Sequence, residues 1–277
     1  MAAPDEPVGG APAKDAEIDS RFDVNVAHIA RVYNYWLGGK DHFAADRSAG
    51  DATIGVYPGI RLSAQANRAF LARAVRYLAG TEGIRQFLDI GTGLPTANNT
   101  HEVAQATAAS SRIVYVDNDP LVLAHARALL TSTADGATAY LDADLRDTGK
   151  ILEQAAGTLD FGQPVAIMLI AVLHYIPDLA EARDIVARLV AAVPPGSFIA
   201  ISHAGSDLFP HEMAAFEKNL NEYLPNDRHV ARPREDVALF FESATLLTPG
   251  VVRVSDWRPD TAEAPMPTTL WGGVGRK

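Results

Sequence analysis

The sequence contains no cysteine, which excludes disulfide bonds, thiolate nucleophiles and metal sites built from thiolates. It also contains no apolar run of the roughly 18–20 residues that a membrane-spanning helix needs. The longest apolar run, Val165 to Leu173, is expected to form a buried strand. The N-terminus lacks the apolar core of a signal peptide and the Arg-rich face of a transit peptide. We therefore expect a cytoplasmic protein with no membrane partner.

Basic residues are scarce, because 24 Lys and Arg stand against 34 Asp and Glu and give a formal net charge of −10. Duplex binding needs a positive surface, so this charge argues against a nucleic-acid partner. A local basic cluster at Arg228, Arg232 and Arg234 is expected to be solvated or to lead into a helix. The histidines lack the spacing of metal ligands, and we predict no metal site. Neither a Gly-x-Ser-x-Gly elbow nor a Walker loop occurs, which leaves acyl and phosphoryl transfer without support.

Three segments follow one another along the chain. Residues 1–20 are rich in helix breakers and lack apolar periodicity, and we expect them to be a disordered tail. Residues 21–80 show the spacing of amphipathic helices and predict a helical cap. In residues 81–277 strand and helix patterns alternate, which predicts a mostly parallel α/β sheet, with a helical insertion at about 205–245. Two closing strand patterns are expected to form an antiparallel edge: Val251–Trp257 and Leu270–Val274.

A glycine-rich turn follows the first predicted strand, in the segment Phe87-Leu-Asp-Ile-Gly-Thr-Gly93. Glycine allows a sharp turn and lets a ligand approach the backbone closely. Thr96 replaces the third glycine of the dinucleotide pattern G-x-G-x-x-G, which weakens a pyrophosphate-binding interpretation. The carboxylate of Asp89 suits a cationic ligand, and S-adenosylmethionine carries both a sulfonium and an ammonium group. A purely structural turn is the alternative.

Acidic residues end the next two predicted strands. Asp117 can accept hydrogen bonds from both ribose hydroxyls, a feature shared by NAD and S-adenosylmethionine sites. Asp144 can accept from an adenine amine while the backbone N–H of Ala143 or Leu145 donates to the ring. The structural alternatives are a helix N-cap for Asp117 and a solvated loop for Asp144. Together these strand ends predict a site for an adenosine-bearing ligand.

Four motifs resemble, in order, those of class I S-adenosylmethionine-dependent methyltransferases: Phe87–Gly93, Val114–Asp119, Leu141–Leu145 and Ile170–His174. The segment Ile29–Arg47 is more specific. It is similar to an actinobacterial family of S-adenosyl methyltransferase-like proteins formerly described as a domain of unknown function. The resemblance covers roughly residues 20–277. It implies a Rossmann-like class I methyltransferase sheet, mostly parallel with an antiparallel edge strand and preceded by a helical N-terminal lid, with S-adenosyl-L-methionine as cofactor.

The resemblance also implies roles for individual residues. The cofactor would be bound by Asp89, Gly91, Thr92, Gly93, Asp117, Asn118, Asp144 and Leu145. The motif Leu37–His42 lies in the predicted lid, where substrate or lid contacts are expected from Tyr35, Lys40, Asp41 and His42. Lys40 and Asp41 have an alternative role at the start of the next helix. His174 and His203, each just past a strand, are candidate general bases, with a buried structural role as the alternative for each.

Three functions remain open from the sequence. The first is methyl transfer from S-adenosylmethionine to a small-molecule acceptor. The second is an NAD-dependent oxidoreductase, which shares the fold and Asp117 but is disfavoured by Thr96 and Asp89. The third is a non-catalytic protein that binds S-adenosylmethionine or S-adenosylhomocysteine. Both a monomer and a homodimer are compatible with the sequence.

Overall fold

The computed structural model describes residues 23–129, 132–224, 227–260 and 266–277. The helices in these ranges are α1 (Ile29–Trp36), α2 (Ala44–Val56), α3 (Ile60–Gly80), α4 (Thr100–Thr107), α5 (Pro120–Leu129), α6 (Thr148–Ala155), α7 (Leu179–Ala191), α8 (Pro210–Tyr223) and α9 (Arg234–Leu239). The strands are β1 (Gln86–Ile90), β2 (Arg112–Asp117), β3 (Ala137–Asp142), β4 (Ala166–Ile170), β5 (Phe198–Ala204), β6 (Thr245–Leu246), β7 (Val252–Arg253) and β8 (Leu270–Arg276). Short 3-10 helices span Leu173–Tyr175 and Val254–Asp256. The predicted tail, residues 1–20, lies outside the described ranges.

These strands form one sheet in the order β3-β2-β1-β4-β5-β8-β6, and β7 also pairs with β8. Strands β1 to β5 run parallel, whereas β8 is antiparallel to β5, β6 and β7. The strand order reverses between β1 and β4, which is the switch point of a doubly wound sheet. The predicted Rossmann-like sheet, mostly parallel with an antiparallel edge, is confirmed. None of the described helices is long and apolar enough to cross a membrane.

Apolar cores cover both faces of the sheet, and successive strand residues alternate between them. Leu88 and Ile167 pack with α6 and α7 on one face. Phe87 and Met168, their chain neighbours, pack with α3 and α4 on the other. This double burial explains why the central strands are apolar at nearly every position.

A third apolar core joins α1, α2 and the start of α3 to the inserted helix α8. Trp36 of α1 packs against Phe216 of α8, with ring centroids 5.7 Å apart. The N-terminal helices and the insertion, predicted as separate features, therefore pack together. Helix α3 contributes Ala64 to this core and Phe70 to the core on the sheet. The division of the chain at residue 80 remains a prediction, because α3 belongs to both layers.

A chain of hydrogen bonds fastens α1 and α3 to the sheet. Ser202 Oγ accepts from Ala171 N at 3.0 Å and donates to Asn67 Oδ1 at 2.6 Å. Asn67 Nδ2 donates to Tyr33 Oη at 3.0 Å, and Tyr33 Oη donates to Ala64 O at 3.2 Å. Buried polar groups that are satisfied in this way hold the helices in one position over the strand ends.

Two predicted strands are shorter in the structure. The run Val165–Leu173 forms a strand only to Ile170, because Ala171 adopts a left-handed backbone with φ of 56° and ends the ladder. The segment Val251–Trp257 forms a strand only at Val252–Arg253 and then turns into a 3-10 helix. The basic cluster leads into a helix as expected, because α9 begins at Arg234, but Arg232 is buried rather than solvated.

Candidate functional site

A cavity of about 260 Å³ lies at the carboxyl ends of β1, β2 and β4, where the strand order reverses. Ligands of open α/β sheets bind at this position. One wall, here called the strand half, consists of Asp89–Gly93, Val116–Asn118, Ala143–Arg146 and Ile170–Val172. The opposite wall, the helix half, consists of side chains from α1, α3 and α8, the 3-10 helix after β4, and residues 227–229.

The turn after β1 requires its glycines. Gly91 and Gly93 have φ of 73° and 65°, the left-handed region that glycine adopts at little cost. A Cβ on Gly91 would lie 2.4 Å from Val172 Cγ2, whereas a Cβ on Gly93 would meet no atom within 4 Å. Gly91 is therefore needed for close packing and backbone geometry, and Gly93 for backbone geometry. Thr92 lies between them on the cavity wall, as predicted from the motif.

Asp89 is a buried carboxylate on the cavity wall, with 3% of its surface exposed. Burial raises the pKa of Asp89 to about 6, although Thr100 Oγ1 donates a hydrogen bond to Asp89 Oδ2 at 2.6 Å. None of the described basic residues forms an ion pair with Asp89 at 4.0 Å or less. A cation in the cavity would stabilise the ionised form.

Asp117 links the first two motifs. Its Oδ2 accepts from Gly93 N at 2.8 Å, and its Oδ1 accepts from Asp119 N at 3.0 Å. Burial raises the pKa of Asp117 against the lowering effect of these two backbone N–H groups. Asp119, not Asp117, caps the next helix, because Asp119 Oδ1 accepts from Leu121 N at 2.9 Å. The carboxylate of Asp117 is therefore available to the cavity that it lines.

The third strand end also reaches the cavity. Asp144 and Leu145 line it together with Asn118. Asp144 Oδ1 accepts from Arg146 N at 2.7 Å, which orients the carboxylate. Of the two backbone donors considered for an adenine ring, Ala143 N already donates to Asp117 O at 3.2 Å. This leaves the N–H of Leu145 as the candidate donor.

Arg68, on α3, is a cavity residue that the sequence reasoning did not find. Its Nη2 donates to Ala97 O at 3.3 Å and to Asn98 O at 3.2 Å, and its positive charge lowers the pKa of Asp89 against the larger effect of burial. Arg68 Nε is buried and has no hydrogen-bond partner among the described residues. Because the residue lies in the middle of a helix far from the strand motifs, only the three-dimensional packing identifies it.

His174 lies in the helix half, as predicted for a residue facing the site. Its Nδ1 accepts from Ala204 N at 3.4 Å. Burial lowers the pKa of His174 well below its usual range, and His229, His203 and Arg232 lower it further. His174 is therefore neutral, with its proton on Nε2.

The structure places His203, the second candidate base, away from the cavity. It is fully buried and does not line the cavity. Its Nδ1 donates to Ala204 O at 2.8 Å, and its Nε2 accepts from Arg232 Nη1 at 2.8 Å, because a carbonyl only accepts and a guanidinium only donates. Burial lowers the pKa of His203 to about 3. Both nitrogens are used, so His203 has the structural role.

Two other histidines reach the cavity, although their positions in the sequence gave no signal: His28 and His229. His28 Nδ1 lies 3.0 Å from Asp119 Oδ2. Burial alone would lower the pKa of His28, but Asp119, with Asp227 and Asp117 nearby, raises it. His229 lies beside His174, with ring centroids 4.6 Å apart.

The structure does not bring the predicted lid residues to the cavity. Neither Tyr35, Lys40, Asp41 nor His42 belongs to its walls. Tyr35 donates to Asp51, and its ring packs edge-on against His42. Asp41 N donates to Asn34 Oδ1 at 3.1 Å. A Cβ on Gly39 would lie 2.3 Å from the same amide oxygen, so the double-glycine motif forms the tight connection between α1 and α2.

The strand half has three features of a site for an adenosine-bearing cation: glycines in left-handed geometry, a buried carboxylate with no ion-pair partner among the described residues, and a second carboxylate at the end of β2. Together with the strand order, they define a Rossmann-type nucleotide site of the methyltransferase kind. The residues present fit S-adenosylmethionine, whose positive charges suit Asp89 and whose ribose suits Asp117.

Comparison with known proteins agrees with this class. The sequence model of a family described as S-adenosyl methyltransferase matches residues 15–277. A DUF574 family protein from Streptomyces avermitilis is 41% identical, with a TM-score of 0.88 over 92% of this chain and 99% of that one. A candidate methyltransferase from Thermobifida fusca is 38% identical, with a TM-score of 0.85 over 95% of this chain and 99% of that one. No curated protein matches the chain.

The chain belongs to the S-adenosyl methyltransferase family, and its cofactor is S-adenosylmethionine. The resemblance drawn from the sequence motifs is confirmed. The plantazolicin methyltransferase BpumL is only 11% identical but superposes with a TM-score of 0.51 over 90% of this chain and 94% of that one. That likeness shows a shared fold.

Proposed function

We propose that this protein transfers a methyl group from S-adenosylmethionine to a small-molecule acceptor. The observation that carries the proposal is one cavity with two unlike walls. Carboxylates and glycine backbone form the strand half, and the helix half is largely apolar. An acceptor held against the helix half lies next to a cofactor held against the strand half. The net charge of −10 supports a small molecule over a nucleic acid.

The methionine part of the cofactor is assigned to the turn after β1. Asp89 binds the ammonium group, while Gly91, Thr92 and Gly93 allow the backbone to approach closely. Arg68, which faces the same region from α3, binds the carboxylate of the methionine part. A zwitterion therefore meets one group of each sign, and the charges inside the cavity balance.

The adenosine part is assigned to the ends of β2 and β3. Asp117 accepts from the ribose hydroxyls, and its own backbone partners hold the carboxylate in place. Asn118 and Leu145 flank the adenine ring, and Asp144 accepts from its amine. Asp144 is exposed, so water competes for its carboxylate. We therefore expect its hydrogen bond to the adenine amine to contribute less binding energy than the contacts of Asp117.

When bound, the cofactor supplies a methyl group on a positively charged sulfur, which is an excellent leaving group. The protein has to place the acceptor in line with that bond and keep water out. The Ser202–Asn67–Tyr33 hydrogen bonds hold α1 and α3 over the strand ends, so the cavity wall is rigid where alignment matters. Positioning is therefore the main contribution of this chain.

Calorimetry with S-adenosylmethionine, S-adenosylhomocysteine and NAD tests the cofactor assignment. We expect both sulfur ligands to bind and NAD to give no heat. Binding of NAD alone would contradict the proposal. A screen for transfer of labelled methyl groups to small molecules of a cell extract then tests for catalysis. Tight cofactor binding with no transfer to any fraction would indicate a non-catalytic binding protein instead.

A further inference from the structure

An imidazole in the helix half faces a carboxylate. His229 lines the cavity, and its Nδ1 lies 3.8 Å from Glu217 Oε2. Glu217 is on α8, and its Oε2 also accepts from Ala231 N at 2.7 Å. The backbone of His229 is held as well, since Asn221 accepts from His229 N at 2.7 Å and donates to His229 O at 2.9 Å. Ring and carboxylate are therefore fixed beside each other.

The neighbouring carboxylate favours one tautomer of His229, although at 3.8 Å from Glu217 Oε2 the Nδ1 atom lies beyond hydrogen-bond distance and has no hydrogen-bond partner among the described residues. An ionised carboxylate attracts positive charge and only accepts, so the proton is favoured on Nδ1, the nitrogen that faces Glu217. Burial would raise the pKa of Glu217, but His229, Ala231 N and Arg228 hold it below its usual value. Neither ring nitrogen forms a hydrogen bond with the described residues, and Nδ1 is enclosed by protein on the side of Glu217. The lone pair of Nε2 is thus the one that remains for the cavity.

The neighbouring His174 has the opposite arrangement. Its Nδ1 accepts from Ala204 N, so the neutral ring carries its proton on Nε2 and has no lone pair to offer. His28 also lines the cavity, but its two ring nitrogens both face carboxylates, Asp119 at 3.0 Å and Asp227 at 4.0 Å. Among the described cavity histidines, His229 is the one with a carboxylate near Nδ1 and neither a hydrogen bond nor an ion pair at Nε2. His174 can donate a hydrogen bond to an acceptor atom, and His229 can remove its proton.

The wall around His229 is made of rings and apolar side chains. Phe216 lies 5.7 Å from the His229 ring, and Trp36 lies 5.7 Å from Phe216, measured between centroids. Met213, also on α8, lines the same wall. Aromatic walls of this kind favour flat, apolar ligands.

We propose, building on the methyltransferase function above, that the helix half binds an aromatic acceptor and that His229, positioned by Glu217, takes the proton from its phenolic hydroxyl. The proton of the hydroxyl passes to His229 Nε2 while the acceptor oxygen forms its bond to the methyl carbon. The carbon–sulfur bond breaks, and its electron pair stays on sulfur as a neutral thioether. Glu217 remains ionised throughout and compensates the charge of the imidazolium.

The basicity of an imidazole favours a phenol over an aliphatic alcohol as the acceptor. A phenol has a pKa of about 10, close enough to imidazole for general-base transfer to help. An aliphatic alcohol is far less acidic, and an imidazole base of this kind would contribute little. The rings on the cavity wall and the strength of the base therefore point to the same acceptor class.

The first test is the tautomer of His229, which needs neither cofactor nor acceptor. The full-length protein is labelled with 15N-histidine, and His229→Gln assigns the ring signals in long-range 1H–15N spectra. We expect a protonated Nδ1 and a bare Nε2 in the wild type, loss of this preference in Glu217→Gln, and its return in Glu217→Asp. A proton on Nε2 in the wild type, or spectra unchanged by Glu217→Gln, would overturn the assignment.

The second test uses 2-naphthol as acceptor, with cyclohexanol and benzylamine as competing probes and labelled S-adenosylmethionine as donor. We expect methylation of 2-naphthol only, and a fall in kcat of about 100-fold in His229→Gln with cofactor affinity within about twofold of the wild type. His125→Gln is the matched control, since His125 also lies beside a carboxylate, Asp41 at 3.4 Å, but outside the cavity.

The failures of the two proposals can be told apart. A protein that does not bind S-adenosylmethionine contradicts the proposed function, whatever the tautomer of His229. A protein that binds the cofactor but leaves 2-naphthol unmethylated, or prefers benzylamine, contradicts the acceptor class. An unchanged kcat in a folded His229→Gln variant contradicts the role of His229 as base.

Discussion

The two halves of the cavity are built in different ways. The strand half comes from short segments directly after β1, β2, β3 and β4, and its polar contacts are held by backbone N–H groups. The helix half comes from side chains of α1, α3 and α8 and from residues 227–229, which are far apart in the chain. The strand half is therefore fixed by local backbone geometry, and the helix half by packing.

The electrostatics of the halves also differ. Carboxylates dominate the strand half, and burial raises the pKa of both Asp89 and Asp117. Imidazoles and aromatic rings dominate the helix half, where burial lowers the pKa of His174. The two halves thus suit different partners of the proposed reaction: the strand half, together with Arg68 of α3, suits the cofactor, and the rings of the helix half suit a neutral acceptor. Cofactor affinity should respond to changes in the first half and hardly at all to changes remote from it.

The largest effect on cofactor affinity is expected from Asp117→Ala. Loss of two charge-assisted hydrogen bonds to the ribose should weaken S-adenosylhomocysteine binding by about 100-fold or more in calorimetry. Asp135→Ala, at an exposed position, serves as the control. Unchanged affinity in a folded Asp117→Ala protein would contradict the assignment of Asp117 to the ribose hydroxyls.

Arg68→Ala should come next, because it removes the one cation that α3 contributes to the methionine region. We expect affinity for S-adenosylhomocysteine to fall by about 20-fold, the loss typical of one charge-assisted hydrogen bond. Methylthioadenosine, which lacks the amino-acid group, should bind as before. The control is Arg76→Ala on the same helix, where the arginine pairs with Asp260 at the surface. An equal loss for both ligands would indicate a structural role for Arg68.

The pH dependence of binding should be smaller, about tenfold. Asp89 has a pKa of about 6 in the free protein, and a bound cation favours its ionised form. Affinity for S-adenosylmethionine should therefore rise from pH 5 to pH 7 and then level off, as measured by calorimetry. Asp89→Asn should bind more weakly and without this rise. A wild-type affinity that is the same at both pH values would contradict the contact with the ammonium group.

The Asp89 carboxyl group should make the folded protein less stable as pH rises, whereas it should make cofactor binding tighter. Its pKa in the folded state lies above the unfolded value, so the folded protein binds the proton more tightly. The free energy of unfolding should fall as pH rises from about 4 to about 6 and stay lower above that. In urea titrations at pH 7.5, we expect Asp89→Asn to be more stable than the wild type. A less stable variant would mean that the hydrogen bond from Thr100 to the ionised carboxylate outweighs the cost of burying its charge.

The smallest effect is expected for the double-glycine motif. His42→Ala and Lys40→Ala should change cofactor affinity by less than about twofold, because neither residue lines the cavity. Calorimetry on both variants checks this expectation. A tenfold loss of affinity in either variant would show that the α1–α2 connection reaches the ligand. It would contradict the claim that residues outside the cavity hardly affect cofactor affinity.

The sequence predicted the strand half well because strand, turn and acid lie next to one another in the chain. Asp89, Gly91 and Gly93 lie within five consecutive residues, and their relation to one another is set by local backbone geometry. The helix half could not be predicted in this way. Phe216 and His229 approach each other only because α8 packs into a shared core with α1 and α2. Without an estimate of helix packing, His229 was indistinguishable from other dispersed histidines.

The same limit explains why some predicted site residues lie away from the cavity. His203 follows the pattern of a residue near a strand end, but its ring turns toward Arg232, whose guanidinium also donates to Ile176 O at 2.7 Å and Pro177 O at 3.0 Å. Tyr35 follows the pattern of a residue free to meet a ligand, but it does not line the cavity, whereas Tyr33 packs against the third apolar core and also lines the cavity. A helical pattern tells which residues share a face, but not what lies opposite that face.

Ala171, in the strand half of the cavity, is a position where stability and activity are expected to conflict. A non-glycine residue with φ of 56° costs of order 1 kcal/mol or more relative to relaxed backbone. Glycine at this position would lower that cost, and a stability screen would select it. The same change would loosen the chain that places Val172 over Gly91 and leads into His174. A thermostable variant obtained at position 171 should therefore be checked for turnover as well as for melting temperature.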